Sequence, residues 1–358
     1  MAKYRGELGL QFVTHLANRY TVPEFIRLAE LAADAGFCQL WFNDNIRYRS
    51  QLVVMTAIAA RVPVRLGTAV LVPYFHNPLD LADGFAALSE LRPNNAISIG
   101  IARGDLGQSP QHVQPLKPIA MVRETAQFLR RALAGESVPY AEFPFLCDFY
   151  HLNSTGKFQL AFEPQARFEF YGGGNGPQSL RMCGRIMDGL ISSGTYIPML
   201  KVGRLANMLR TADRAAQEFE PNKKLRKVCE LNVSVSRNRE QAVNFPKCQV
   251  AHTILQWEAL GFTSDEYAKM GVERAAVLRL KEAFQSGATI EAAAALVSEQ
   301  MVRCYYAAGT PEEVRDQIIE LAGAAGELGY DHVAFAKLGP DYQEAINLLA
   351  TQVVPALT

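Results

Sequence analysis

The sequence predicts an α/β fold, a (β/α)8 TIM barrel with insertions after strands 4 and 7. Three observations carry that expectation. Short apolar, β-branched runs alternate with amphipathic helical stretches, the mark of βα units around a parallel sheet. Eight such units can be counted along the 358 residues. No linker, internal repeat or low-complexity segment divides them, which favours a barrel over a doubly wound sheet.

The elements follow in order. Residues 7–14 read as strand one and 21–36 as a helix, with Thr21 as N-cap, Glu24 at the capping-box position and Gly36 as the stop. Residues 37–44 are strand two, and the apolar run QLVVMTAIAARV from Gln51 supplies the next helix. Strand three spans 64–73, a helix begins at Pro78, and strand four spans 95–102. After the helix at 117–135, residues 138–166 are rich in Pro and aromatics without a helical period, and read as an insertion closed by a hairpin. Strand five (167–174), a helix opening on Pro177 and strand six (188–194) come next. A helix over 198–219 leads to strand seven at 227–236. Residues 239–300 exceed what one crossover needs, so they read as a helical insertion placed to lid a substrate pocket. Thr310 and Glu313 form a second capping box on the helix at 310–329, strand eight follows over 330–339, and a helix at 340–354 ends a single domain spanning 1–358.

Lys plus Arg and Asp plus Glu both number 36, so no global field draws the chain to nucleic acid or an anionic membrane. The six cysteines lie far apart, without zinc spacing, and read as reduced thiols. No h-region opens the chain and no apolar run approaches the roughly 20 residues of a bilayer span, so the expectation is a cytoplasmic protein acting on a small molecule.

In a barrel of this kind the loops after the strands build the active site. That selects Gln11, Thr14 and His15; Asn43, Asp44 and Asn45; the stretch from Ala69 to His76; and Arg103, Gly104 and Asp105. From the second half it adds Gly172 to Gly176, Ser192 to Thr195, and Lys337 to Gly339. The cluster Gly172-Gly173-Gly174-Asn175-Gly176 falls between a strand and a helix N-terminus, where backbone N–H groups and the helix dipole suit a phosphate. A tight turn needing positive φ is the equal alternative. Arg103 offers a guanidinium to a phosphate or carboxylate. G-x-S-x-G, H-E-x-x-H and paired histidines at metal spacing are all missing, so no metal is expected. A site with phosphate-sized glycine turns but no strong acid, base or metal points to a cofactor that brings the chemistry.

Several strand-end segments together resemble the luciferase-like flavin/deazaflavin superfamily, and among its branches the one using coenzyme F420, with methylene-tetrahydromethanopterin reductases and glucose-6-phosphate dehydrogenases. The run from Ala35 to Asp44 is similar to the family's second strand, and Leu66 to Pro73 followed by Asn77-Pro78 to its third. Gly100 to Asp105 resembles its fourth strand end, Gly173 to Pro177 its phosphate loop, and Gly309 to Val314 the entry to its last crossover helix. The resemblance implies F420 as cofactor, with FMN as alternative, held by Thr68, Ala69, Val70, Ala102, Arg103, Gly104, Gly173, Gly174, Asn175, Gly176 and Ser193. In relatives a non-proline cis peptide props the ring, and Ala69-Val70 occupies that position. The resemblance places catalysis among Asp44, Asn45, Gln11 and Asp105, and His15 and His76 join them as candidates because both fall at strand ends on the expected active face.

Two departures stand out. Asn45 replaces the branch's usual histidine, and Gln11 replaces a strand-one glutamate of its reductases, which removes proton transfer and keeps hydrogen bonding. Hydride transfer between deazaflavin and a small organic substrate, conceivably a pterin-like C1 carrier, is the leading expectation. An FMN-dependent monooxygenase and a catalytically silent binding relative are the alternatives. The resemblance implies a homodimer through helices near strands two and three, for which the run at 52–60 offers an apolar face; packing of that face against the barrel is the alternative.

Overall fold

The computed structural model of the chain describes residues 4–104 and 112–357. Eight strands alternate with eight principal helices: β1 (Glu7–Phe12), α1 (Val22–Asp34), β2 (Gln39–Phe42), α2 (Gln51–Ala59), β3 (Arg65–Leu71), α3 (Pro78–Glu90), β4 (Ala96–Ile101) and α4 (Pro118–Leu133). Then come β5 (Arg167–Gly173), α5 (Pro177–Ile186), β6 (Gly189–Ser192), α6 (Leu205–Phe219), β7 (Arg226–Val235), α7 (Pro311–Glu327), β8 (His332–Ala336) and α8 (Tyr342–Leu348). Two compact units divide the described residues, one of 8–192 with 208–228 and one of the remainder.

In the first unit β1 to β6 lie side by side in chain order, all parallel. Gly9 stands opposite Gln39, Gln39 opposite Arg65, Leu66 opposite Ile97, Ala96 opposite Arg167 and Tyr171 opposite Gly189. Trp41 is buried edge-on to Tyr171, ring centroids 5.6 Å apart, and Gly67 leaves the indole its room: a Cβ there would meet Trp41 at 2.7 Å. The expected cap at α1 is present, the Glu24 carboxylate accepting the Thr21 N–H at 2.6 Å. Pairing of β3 with β4 shifts between Thr68 and Leu71, which take three residue steps where Ile99 to Ile101 takes two. One extra residue is thereby inserted into β3, a β-bulge at the strand's C-terminal end.

The expected hairpin of the first insertion exists as Val138–Pro139 antiparallel to Lys157–Phe158. Sequence periodicity gave no helix there, yet Pro144–Tyr150 is one. Its first turn is held from outside, because buried Glu124 of α4 accepts the N–H groups of Phe145 at 2.9 Å and Leu146 at 3.2 Å. A seven-residue helix too short to announce itself is stabilised by an acid capping its orphan donors.

The expected helix over 198–219 is broken into Tyr196–Lys201 and α6, with Gly203 between them at φ +80°. A short strand absent from the sequence reading, Ala307–Gly309, runs parallel to β7. Residues 239–300 are helical as expected, in short pieces. Their core is aromatic: Trp257 stacks on Phe262 at 5.5 Å and on Tyr305 at 5.4 Å. Arg204 grips Glu266 with both edges of its fork, at 2.5 and 2.6 Å, and lies over the Phe262 ring. The capping box of α7 is present, Thr310 N–H donating to Glu313 at 3.0 Å. The last helix is shorter than expected: α8 ends at Leu348 and passes into a wider π turn over Leu349–Val353. Among the described residues no helix is long and apolar enough to cross a membrane.

Candidate functional site

The C-terminal ends of β1 to β5 gather most of the residues singled out from the sequence. At the β3 bulge the Ala69–Val70 peptide is cis, as expected at that position. Its placement is fixed from two sides. Buried Gln11 of β1 donates its amide to the Ala69 carbonyl at 2.5 Å, and the Val70 carbonyl accepts the Asp44 N–H at 3.1 Å. Gln11 thus works as a tie between β1 and the bulge, a task an amide performs and an ionised glutamate, lacking a donor, would not. Thr68 is also structural: it is fully buried and its hydroxyl donates to the Gly100 carbonyl at 2.9 Å.

Beyond the bulge three strand ends converge. A Cβ built on Gly173 would meet the Ala102 Cβ at 3.3 Å and the Val70 side chain at 3.6 Å, so β3, β4 and β5 present small groups to one surface there. Gly174 follows at φ +155°, a conformation that favours glycine. Gly176 is the N-cap of α5, with no side-chain cap, and a Cβ on it would stand in open space. Pro177 takes the N1 position, leaving the next N–H groups of a ten-residue helix for an anion. Gly104 adds a second left-handed turn at φ +89° after β4. Arg103 beside it is half-buried and close enough to Tyr74 to act on it electrostatically.

The polar groups form two sets. In one, the nearly buried Asp44 carboxylate accepts the Val72 N–H at 3.0 Å and lies 2.6 Å from His76 Nε2. In the other, Asn43 Oδ1 is committed to the Thr14 N–H at 2.8 Å, which turns its amide nitrogen toward His15 Nδ1 at 3.5 Å. Asn45 Nδ2 lies 3.0 Å from the same ring nitrogen. Amide nitrogens only donate, so this network assigns Nδ1 as acceptor and the ring proton to Nε2. Sequence reasoning named His15 and Asn45 separately; that the two touch, and that Asn43 orients the ring, is new. Tyr74 falls within the stretch singled out from the sequence, whereas Tyr150 was missed. Burial pushes the Tyr74 phenol up to about 12, Arg103 opposing, and its O–H donates to the Leu116 carbonyl at 2.7 Å. Tyr150, from the short helix of the first insertion, donates to the Pro73 carbonyl.

Asp105 lies outside the described residues. Ser193 belongs to the second unit, directly after β6, where its carbonyl accepts the Tyr196 N–H at 2.9 Å.

Strand-end glycine turns, a bulged third strand and the His15–Asn43–Asn45 network thus occur together at the C-terminal ends of β1 to β5. Residues 9–335 match the family described as luciferase-like monooxygenase, and the chain belongs to it. Among its relatives, the 5,10-methylenetetrahydromethanopterin reductase of Archaeoglobus fulgidus is 24% identical over 98% of this chain and 99% of its own. The F420-dependent glucose-6-phosphate dehydrogenase of Nakamurella multipartita is 25% identical over 95% and 94%. The solved F420-dependent tetrahydromethanopterin reductase of Methanopyrus kandleri superposes with a TM-score of 0.73 at 21% identity, covering 99% of both chains. The fold is thus the (β/α)8 barrel that the sequence predicts.

Proposed function

We propose that the chain is an oxidoreductase that holds the deazaflavin F420 at the ends of β3, β4 and β5 and exchanges a hydride with a small organic substrate. The single observation that carries the reading is the convergence of Val70, Ala102 and Gly173 on one surface, next to a glycine turn and the uncapped N-terminus of α5. Any side chain on Gly173 would press on Ala102 and Val70, which supports this surface as the one a planar ring lies against, and the turn offers N–H donors to a phosphate. The cofactor, when bound, supplies the carbon that gives or takes the hydride. The chain's own contribution is positioning and polarisation.

His15 is proposed as the polarising group. Amide nitrogens of Asn43 and Asn45 face its Nδ1 and hold the ring at the end of β1, the position from which we propose it polarises a substrate heteroatom. This ring takes the place of the histidine absent at position 45. Asp44 and His76 orient the β3 end, Asp44 by holding the Val72 N–H. A pterin-like C1 carrier is the proposed substrate class, supported by full-length relatives named as methanopterin reductases. The helical segment 239–300 follows β7 in the chain, and we propose it as a substrate lid within a single working domain. We further propose a cytoplasmic homodimer, on the thiol state of the cysteines and on exposed Val53 of α2.

Titrating the purified chain with F420 and with FMN, each followed by cofactor fluorescence, tests the reading. Saturable binding of F420 with none of FMN is the expected result. Tight FMN binding without affinity for F420 makes it a flavin monooxygenase instead. A light-scattering mass of one subunit removes the dimer.

A further inference from the structure

The loops after β1 and β2 are clasped together around His15. Asn45 Nδ2 lies 3.0 Å from its Nδ1, and the Tyr48 ring stands 5.8 Å from the imidazole between centroids, tilted by 54°. One turn brings both onto the same ring, closed by the Tyr48 N–H donating to the Asn45 carbonyl at 3.4 Å. Arg49 fastens the next position, its Nη1 donating to the carbonyl and the side-chain oxygen of Asn18 at 2.9 and 2.8 Å. The charge on this clasp is mainly of one sign. Arg19, Arg47 and Arg49 stand on the two loops, and their acid, Asp44, is nearly buried and turned to the Val72 N–H and His76. Arg19 is engaged with Tyr20, and Arg49 with Asn18 and electrostatically with Glu24. Arg47 differs: it is exposed, and among the described residues it has neither a hydrogen-bond nor an ion-pair partner. Its φ is +75°, at the third position of the turn, where glycine is easiest to place. A bulky side chain held left-handed is the kind of outlier that gathers at ligand clamps.

We infer that Tyr48 and Arg47 set the specificity of the His15 site for a substrate with a planar ring and an acidic group, carboxylate or phosphate; the inference rests on the reading of His15 as the polarising residue. Tyr48 supplies the wall beside the imidazole, an aromatic surface against which the substrate ring lies. Arg47 supplies the charge, its planar fork of N–H donors taking two oxygens of the acid at once. The turn sets the scale, since its first and last Cα atoms stand within about 7 Å, so an arginine at its third position reaches an acid carried a few bonds from a ring on Tyr48. With the other two guanidinium groups engaged, the surplus positive field around His15 draws an anion and disfavours a cation.

The test titrates three probes into the full chain by calorimetry: neopterin, which has the ring and no acid, neopterin phosphate, and folic acid, which carries carboxylates. Both acids are expected to bind the native chain about tenfold tighter than neopterin, with an advantage that shrinks as salt is raised. The stronger of the two names the anion. In Arg47→Gln the advantage should fall to about twofold or less, and Arg47→Lys should keep part of it. Arg47→Gly relieves the left-handed backbone, so the same loss there, with unfolding unchanged or improved, is a loss of recognition and not of fold. Tyr48→Ala should weaken all three probes alike, and Tyr48→Phe should restore them. Equal binding of neopterin and the acids by the native chain overturns the inference, as does an advantage that survives in Arg47→Gln, or the binding of no probe. Titrating the native chain with F420 keeps the two readings apart. F420 bound without discrimination between the probes removes this inference alone, and discrimination without F420 binding removes the cofactor alone.

Discussion

At the scale of single residues, amides line the strand ends, and the structure gives Gln11 and Asn45 each a partner. Gln11 donates to the Ala69 carbonyl, so Gln11→Glu replaces a donor by a carboxylate facing a carbonyl oxygen. We expect that variant to lose about 1–3 kcal/mol of stability, read by urea unfolding. Asn45→Asp acts in the opposite direction on His15: a carboxylate at 3.0 Å from Nδ1 favours the imidazolium. The pH–rate profile should then differ from that of the native chain, and an unchanged profile would remove His15 from the reaction. Gly173→Val fills the surface shared with Ala102 and Val70. F420 affinity should fall at least tenfold, with unfolding little changed. These roles were only half legible beforehand. Residue type and strand-end position picked out Asp44, Asn45 and His15, but which nitrogen faces which neighbour depends on the backbone of two strands at once, and no spacing in one sequence encodes it.

At the scale of elements, caps were the most readable signals because they are local. Thr21 with Glu24 and Thr310 with Glu313 stand where four consecutive letters put them. Thr310→Ala should cost about 1 kcal/mol, seen as a small drop in Tm. Elements set by distant partners were not readable. The helix Pro144–Tyr150 exists through Glu124, some twenty positions earlier in the chain, and the strand Ala307–Gly309 exists through β7. Phosphate-loop glycines show the same division. Gly174 was legible as a turn residue, whereas Gly172 is required by packing: a Cβ there would stand 2.2 Å from the Cys183 sulfur, in a buried contact with α5. Gly172→Ala is expected to destabilise by about 1–3 kcal/mol, more than a solvent-facing glycine in the same loop. Gly176→Ala, with open space before its Cβ, is the matched control.

At the scale of the whole molecule, balanced total charge conceals local ion pairing that sets acid sensitivity. Arg204 holds Glu266 below the ordinary carboxylate range, and Arg239 with Arg303 does the same for Glu299. The unfolded chain therefore takes up these protons before the folded one does. Their contribution is complete above an unfolded pKa of about 4.3 and is lost as pH falls through the lower folded values. Chemical denaturation should show a stability plateau near neutrality and a decline beginning below about pH 5. Both pairs lie in the second unit, so hydrogen exchange at low pH is expected to rise first around 239–300.

The extra residue in β3 also bears on how this chain can vary through time. Thr68 to Leu71 takes three steps where Ile99 to Ile101 takes two, so the strand can lose one codon from 69–70 and still keep Thr68 opposite Ile99 and Leu71 opposite Ile101. Such a deletion flattens the strand without reversing its faces. Library variants of that kind should therefore still fold while losing F420 affinity, whereas a deletion between 65 and 67, outside the bulge, shifts the register of buried positions and should not fold.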